Sequence, residues 1–483
     1  MTLTKTDFIS YLDAPRHLWA MKHGKLDKQE INTYLEHLFE QGYRVEELAE
    51  QYIKKHLIPK YGVSNNEVLL QPTQTDISEI KGEGNYEART DVLIKNPKSN
   101  KWDMYEIKSA TKVDRSHKYD ATFQTLIFEK YYDLGDVYIL HLNNEYYRQG
   151  ELDLTQLFIA VNVNEYVEKL KDEVVQMRYE AYLISKEEDF SKASACIRPK
   201  TCPCLSLCHP NLPKYSIFDI NRITQSAKKV QTLLNDDIVD VMDVPKDFEL
   251  TDVQRYQVNV AQSKKTQIDK QAIRERLDEL VYPLHFIDYE TFNSAIPMYD
   301  GYKPYDQMCF QYSLHILRKR GGKLEHYEFI ETDQIDPIPN FIKTLNRQIC
   351  EEGSIIVWNK SFESTQNQRM GEIHPKFEGF CMDMNERMFD LMDIFRDQLY
   401  ADPKFKGSYS IKKVLPVLVP ELSYERMDIG DGATAMASWN KMVYGDTDDD
   451  EKEIIRKHLL KYCELDTLAM VRIWEVLNFD RVN

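Results

Sequence analysis

The sequence predicts a mixed α/β protein built from several domains. Three observations carry that expectation. A chain of 483 residues is too long for one hydrophobic core and should divide into two or three. Apolar runs with strand character alternate with amphipathic helical stretches over residues 281 to 483. Four of the eight cysteines crowd between positions 196 and 208, and Pro199, Pro203, Pro210 and Pro213 then break the chain. The expected domains are therefore 1–210, a helical connector at 211–280, and 281–483.

Composition narrows the function classes. Hydrophobic residues make up 42% and charged residues 29%, an ordinary globular balance. No apolar run approaches the roughly 18 residues of a membrane span. The start, Met1-Thr2-Leu3-Thr4-Lys5-Thr6-Asp7, lacks the apolar core of a secretory leader, so a cytoplasmic location is expected. A net charge of −17 argues against coating nucleic acid by bulk electrostatics. It remains compatible with carboxylate sites whose charge bound cations offset.

In the first region, Ala88 to Ile94 and Trp102 to Lys108 read as strands around the turn-like Asn96-Pro97-Lys98-Ser99-Asn100. Folding about that turn sets Asp91 opposite Glu106. Cross-strand neighbours lie about 5 Å apart, so the two carboxylates can share one divalent ion. Lys108 follows Glu106 by two and points to the same side, where it would orient or activate an attacking water. Cys196, Cys202, Cys204 and Cys208 read as a metal site in a reducing compartment. Both zinc and an iron–sulfur cluster are open, although C-x5-C-x-C-x3-C is not a zinc-ribbon spacing. Cys309, Cys350, Cys381 and Cys463 stand among apolar neighbours and read as core.

The connector carries amphipathic candidates at Asn221–Leu234 and Lys270–Leu280. Beyond it, Leu284-His285-Phe286-Ile287-Asp288-Tyr289-Glu290 is an apolar strand ending in two acids on one side of a sheet. Arg318-Lys319-Arg320 before Gly321-Gly322 reads as a solvated hairpin tip. A helix over Glu451–Leu477 places Ile455, Leu459, Tyr462, Asp466, Ala469 and Ile473 on one face. The acidic run at 446–450 is its solvated start. A carboxylate on a buried face costs several kcal/mol, on the order expected for an unpaired charge, unless a cation compensates it. Converging oxygen ligands of this kind suit magnesium or manganese, and the chemistry they suggest is two-metal phosphodiester hydrolysis.

The first set resembles the PD-(D/E)xK nuclease core of the RecB type, including the CRISPR-associated iron–sulfur exonucleases, over residues 1 to 210. The matching pieces are Asp91, Glu106-Ile107-Lys108 and Gln124, where the family has Q-x-x-x-Y; this chain has Phe128 at the tyrosine position. The family's helical acid falls at Glu47, with Glu46 as the alternative. The resemblance implies a restriction-endonuclease-like fold and a cluster held by one early and three late cysteines. Ala14 stands where the early cysteine would, before Pro15. Cys196, Cys202 and Cys208 match the later three, and Cys204 is a spare thiol. An altered iron–sulfur site is thus implied, with zinc as the alternative.

Residues 281 to 483 resemble the DnaQ-like 3′–5′ exonucleases, which implies an RNase H-like fold and a catalytic set of Asp288, Glu290, Glu363, Tyr462 and Asp466. Tyr462 four residues before Asp466 matches the tyrosine subtype; the histidine subtype would need His where Lys461 stands. Glu363 replaces the usual aspartate, with Asp390 or Asp393 as possible helpers. Phe310-Gln311-Tyr312-Ser313-Leu314-His315 and Gly407-Ser408-Tyr409-Ser410-Ile411-Lys412 extend a resemblance to a bacterial family that joins the two nuclease types. It implies a DNA repair or phage-defence nuclease acting on DNA, or on RNA, with a helicase or defence-system partner. A nucleic-acid-binding scaffold with inactive centres is the competing class. The two acidic sets are expected in separate domains, each with its own magnesium or manganese.

Overall fold

A computed structural model describes residues 2–27, 32–77, 84–199, 202–425 and 427–478. The chain forms a mixed α/β protein of two compact units. The first comprises residues 1–31, 38–211 and 294–305; the second comprises 32–37, 212–293 and 306–483. The boundary near 211 agrees with the proline-rich break. The stretch 211–280 is not a free connector, because it clusters with the second unit. Gln257 shows why: its amide donates to the Lys406 carbonyl at 3.4 Å and lies against Gly407. A two-stranded ribbon of β9 (Gln267–Ile268) and β15 (Tyr400–Ala401) ties the same stretch to the later chain. Its helices are shorter than expected, at Ala227–Asn235 and Lys270–Leu277.

In the first unit β1 (Thr2–Thr4), β3 (Thr73–Asp76) and β4 (Asn85–Arg89) make a small sheet. The main sheet runs in the order β2 (Val68–Leu70), β5 (Val92–Lys95), β6 (Trp102–Lys108), β7 (Leu134–Leu142), β8 (Phe158–Asn162). β5 and β6 are antiparallel, while β7 is parallel to β6 and needs a crossover. The helix Arg115–Phe128 supplies it, with Asp114 capping its start through the His117 N–H at 2.9 Å. From Tyr119 to Phe128 every residue of that helix is buried, packed between the sheet and the helix Asn164–Lys186.

The second unit is built on a sheet ordered β12 (Leu324–Ile330), β11 (Gln307–Leu317), β10 (Leu284–Asn293), β13 (Ile355–Val357), β14 (Met388–Asp390). β10–β11 and β11–β12 are antiparallel; β13 and β14 run parallel to β10. Both faces of β11 are covered, so every residue after Gln307 is buried, and its polar side chains Gln311, Ser313 and His315 are hydrogen-bonded within the core. The helix Ile338–Gln348 packs Phe341 edge-on to Tyr312, ring centroids 5.0 Å apart. The helix Asp449–Leu477 also packs against β10 and β11 and accepts from Gln311 Nε2 at its Leu459 carbonyl, 2.8 Å. Asp448 caps this helix by accepting from the Glu451 N–H at 2.8 Å, so the acidic run is its start. Arg318-Lys319-Arg320 lies at the exposed tip between β11 and β12. Among the described residues no helix is long and apolar enough to cross a membrane.

Candidate functional site

β10 brings Asp288 and Glu290 to one side of the second unit, and a register shift after Glu290 interrupts the ladder with β11 before it resumes at Thr291. The helix Asp449–Leu477 packs across them and turns Tyr462 and Asp466 inward, while Lys461 faces solvent. Asn359, with φ +86°, turns the chain from β13 into the helix Lys360–Ile373. Asp390 holds that turn, accepting from the Asn359 and Lys360 N–H groups at 3.0 Å each. Asp390 is thereby spent on capping rather than left as a ligand. Glu363, in the first turn of the same helix, is buried with one carboxylate oxygen unpartnered.

Asp288 and Glu290 bring carboxylate oxygens within 4.8 Å of each other, and Asp466 and Glu363 are near enough to act on both electrostatically. Burial, then Asp466, Glu290 and Glu363, raise the Asp288 carboxyl well above its usual range. Burial and Asp466 do the same to Glu290. Glu363 is pushed up to about 8, first by burial and then by Asp390. Asp466 rises to about 6, because burial outweighs the hydrogen bond it accepts from the Tyr424 hydroxyl at 2.6 Å. Lys412 stands against these acids and pulls in the opposite direction; its ammonium lies 5.4 Å from the Tyr462 ring centre and donates to the Gly430 carbonyl at 2.8 Å. Burial followed by Asp466 also raises the Tyr462 phenol, so it stays protonated. The site can therefore hold divalent cations through hard oxygen ligands.

Two participants were not singled out individually in the sequence, and a third, Cys463, was read only as core. Tyr424 reaches Asp466 from a stretch without periodic pattern. Lys412 belongs to Gly407-Ser408-Tyr409-Ser410-Ile411-Lys412, whose Ser410 occupies the N-cap position without a side-chain cap bond. Cys463 falls within 4.8 Å of Asp288 and Glu290, and its thiol donates to the Asp288 carbonyl at 3.7 Å. It is also core, as expected, as are Cys309 and Cys381. Cys350 is only half-buried and accepts from the Arg318 guanidinium at 3.3 Å, so reading it as a core residue was wrong.

In the first unit the β5–β6 register pairs Val92 with Tyr105, and by continuation sets Asp91 beside Glu106. Asp91 accepts from the Ile107 N–H at 2.6 Å; burial and then Glu106 raise its carboxyl to about 7. Glu106 is different: Lys108 at 2.9 Å and Lys5 at 2.7 Å outweigh its burial and hold it low. Lys108 also meets Asp120 at 2.5 Å, and Gln124 Nε2 donates to the other Asp120 oxygen at 2.9 Å. Lys5 and Asp120 are thus part of this cluster. Asp120 precedes Gln124 by one helical turn, a spacing that could have revealed it. Glu106 and Gln124 each keep one buried oxygen without a partner.

Two expected residues fall elsewhere. Glu47 is exposed on the helix Thr33–Tyr52 and pairs with Arg44 at 2.6 Å. Glu46 and Glu50 line the cleft that Asp91 and Ile107 also line. They are four apart and share one helix face, whereas Glu47 is turned about 100° away from Glu46. Phe128 is fully buried and stacks near Tyr132, so this position meets core rather than a phosphate. Of the cysteines, Cys202, Cys204 and Cys208 come together, and none is at disulfide distance. Cys196 stands outside that tight group, its sulfur accepting from the Arg198 N–H at 3.2 Å.

A domain of unknown function (DUF2779) matches residues 285–410. The uncharacterized protein UU173 of Ureaplasma parvum is 31% identical over 210 residues, 39% of this chain and 30% of that protein. The uncharacterized protein MG366 homolog of Mycoplasma pneumoniae is 27% identical over 205 residues, 39% of this chain and 31% of that protein. The chain thus spans about a third of the length of these curated relatives. A solved structure titled crystal structure of SSO0001 aligns with 44% of this chain and 87% of its own, at 11% identity and a TM-score of 0.28.

Proposed function

We propose that this protein is a metal-dependent nuclease with two catalytic centres, one in each unit, hydrolysing phosphodiesters in DNA. The observation that carries the reading is the set of half-buried Asp288 and buried Glu290, Glu363 and Asp466, whose carboxyls are all driven above their usual range. Four acids face one ammonium, Lys412, and that imbalance is what bound cations would relieve. Strand order supports the same reading. The order β12-β11-β10-β13-β14 resembles the order of an RNase H-like sheet, and the antiparallel β5–β6 pair followed by a helix and a parallel β7 resembles a PD-(D/E)xK core.

Asp288, Glu290, Asp466 and Glu363 would hold magnesium or manganese in the second unit, and Asp91 and Glu106 in the first. Bound there, such ions supply Lewis-acid stabilisation of the phosphate and lower the pKa of an attacking water. The protein's own groups do the rest. Tyr424 fixes one Asp466 oxygen, leaving the other to face the acids. Tyr462 remains a phenol and can donate a hydrogen bond to the attacking water or the scissile phosphate. Lys412 offers a positive charge to the phosphate backbone of the strand. In the first unit Lys108 is held between Glu106 and Asp120, where it can orient a water at Glu106.

Charge separates the two centres. Lys5 and Lys108 oppose Asp91, Glu106 and Asp120, so the first cluster is nearly self-neutralised. The second carries a larger excess of acid, which makes it the more cation-demanding centre. The test is digestion of end-labelled single- and double-stranded DNA and RNA with magnesium or manganese. Wild type, Lys108→Ala and Asp288→Ala are compared. The proposal expects cation-dependent 3′–5′ trimming that Asp288→Ala loses and Lys108→Ala keeps. Absence of hydrolysis on every substrate would favour the scaffold reading instead.

A further inference from the structure

The sulfurs of Cys202, Cys204 and Cys208 lie 3.5, 3.6 and 3.9 Å from one another. A disulfide would bring one pair to about 2.05 Å. Thiolates arranged tetrahedrally around one zinc, with Zn–S of about 2.3 Å, stand about 3.8 Å apart. Cysteines of an iron–sulfur cluster are distributed over several irons, which spreads their sulfurs beyond mutual contact. The observed triangle has the size of a single-ion site.

Its surroundings fit a structural ion. Cys204 and Cys208 are buried and Cys202 half-buried, and the three thiols find one another as partners. Trp19 and Ala20 pack beside Cys204 and Cys208. The same helix, Pro15–Lys22, is tied to the 193–208 stretch by Arg16 donating to the Ala193 carbonyl at 2.9 Å and the Ser194 carbonyl at 3.1 Å. The Asp27 N–H donates to the Pro203 carbonyl at 2.8 Å. Cys196 Sγ accepts a backbone N–H, the kind of donation that steadies a metal-bound thiolate.

We propose that Cys202, Cys204 and Cys208 hold one tetrahedral zinc ion that staples the start of the first unit to its end, with Cys196, which stands outside their triangle, drawn in as the fourth ligand. The staple also fixes the helix Lys5–Asp13, which brings Lys5 to Glu106. The site is closed, so its task is structural rather than catalytic.

Anaerobically purified full-length protein should contain one zinc per chain and neither iron nor acid-labile sulfide. Replacing zinc by cobalt(II) should give the sulfur-to-metal absorption and visible bands of a tetrahedral thiolate site. Cys196→Ser should weaken cobalt binding at least tenfold, while His209→Ala and Cys350→Ser leave it unchanged. If Cys204→Ser does not fold, titrating wild-type thiols with a mercurial should release one zinc as four thiols react. Brown protein with iron and sulfide, or protein with no metal and four freely reactive thiols, overturns the proposal. Binding that survives Cys196→Ser but fails in His209→Ala overturns the four-thiolate ligand set. None of these readouts uses hydrolysis, so an inactive enzyme that holds zinc would reject the nuclease reading and leave this one standing.

Discussion

Replacing Glu363 by glutamine should stabilise the metal-free protein and abolish its activity together. Glu363 is buried, with one oxygen unpartnered, and its carboxyl is raised from 4.5 to about 8. At pH 7 the unfolded chain carries it ionised, whereas the folded protein must protonate it. Folding therefore takes up a proton, and this contribution to stability falls as pH rises from 4.5 towards 8, then levels off. At pH 7 the penalty spans about 2.5 pH units at ~1.4 kcal/mol each, or roughly 3 to 4 kcal/mol. Glutamine has nearly the same shape and needs no proton, and its amide can donate to the neighbouring acids. Thermal unfolding in a chelator should thus show Glu363→Gln more stable than wild type by roughly 3 to 4 kcal/mol at pH 7. Near pH 4.5 the two should be indistinguishable. Magnesium should reverse the order by stabilising wild type alone. Equal stability of the two proteins at pH 7 in chelator, or a variant destabilised at both pH values, would refute a strained, cation-seeking carboxylate.

The remaining predictions address neighbouring groups. Tyr462→Phe removes one buried hydroxyl and should slow hydrolysis by on the order of 10²- to 10⁴-fold while KM changes little, read from steady-state kinetics. Tyr424→Phe removes a hydrogen bond that holds Asp466 down, so the Asp466 carboxyl should rise further. The acid limb of its pH–rate profile, or of magnesium binding, should shift to higher pH. Lys108→Ala leaves Glu106 and Asp120 with Lys5 alone, and should cost roughly 3 to 5 kcal/mol in the first unit. It should remove that unit's activity while sparing the 3′–5′ activity, and its effect should combine independently with Asp288→Ala.

Periodicity made part of each site legible. Asp288 and Glu290 fall two apart on a strand, and Tyr462 and Asp466 four apart on a helix, so local geometry alone puts each pair on one face. The β5–β6 hairpin likewise fixed Asp91 beside Glu106 through its turn. Contacts made by irregular chain were not legible, because no period marks them: Tyr424 reaching Asp466 and Lys412 facing the acids are of this kind. Lys5 depends on the packing of the helix Lys5–Asp13 against the core, over a separation of 101 residues from Glu106. Glu46 and Glu47 differ by one helical step, which only the buried stripe of Val45, Ala49 and Ile53 resolves. The 211–280 stretch looked like a connector because its helices are polar. Its Gln257 amide nonetheless donates to the Lys406 carbonyl and its Tyr256 hydroxyl to the Gln398 carbonyl, a form of packing that hydropathy does not register.

Manganese titration of the chelator-stripped protein by calorimetry, comparing wild type with Asp288→Ala, tests the central claim most directly. Divalent ions are expected to bind the second unit of wild type, releasing protons at pH 7 as the raised carboxyls ionise. Asp288→Ala should lose both that binding and its proton release while unfolding cooperatively. Identical manganese isotherms for the two proteins, with no proton release in either, would contradict a cation site at these four acids.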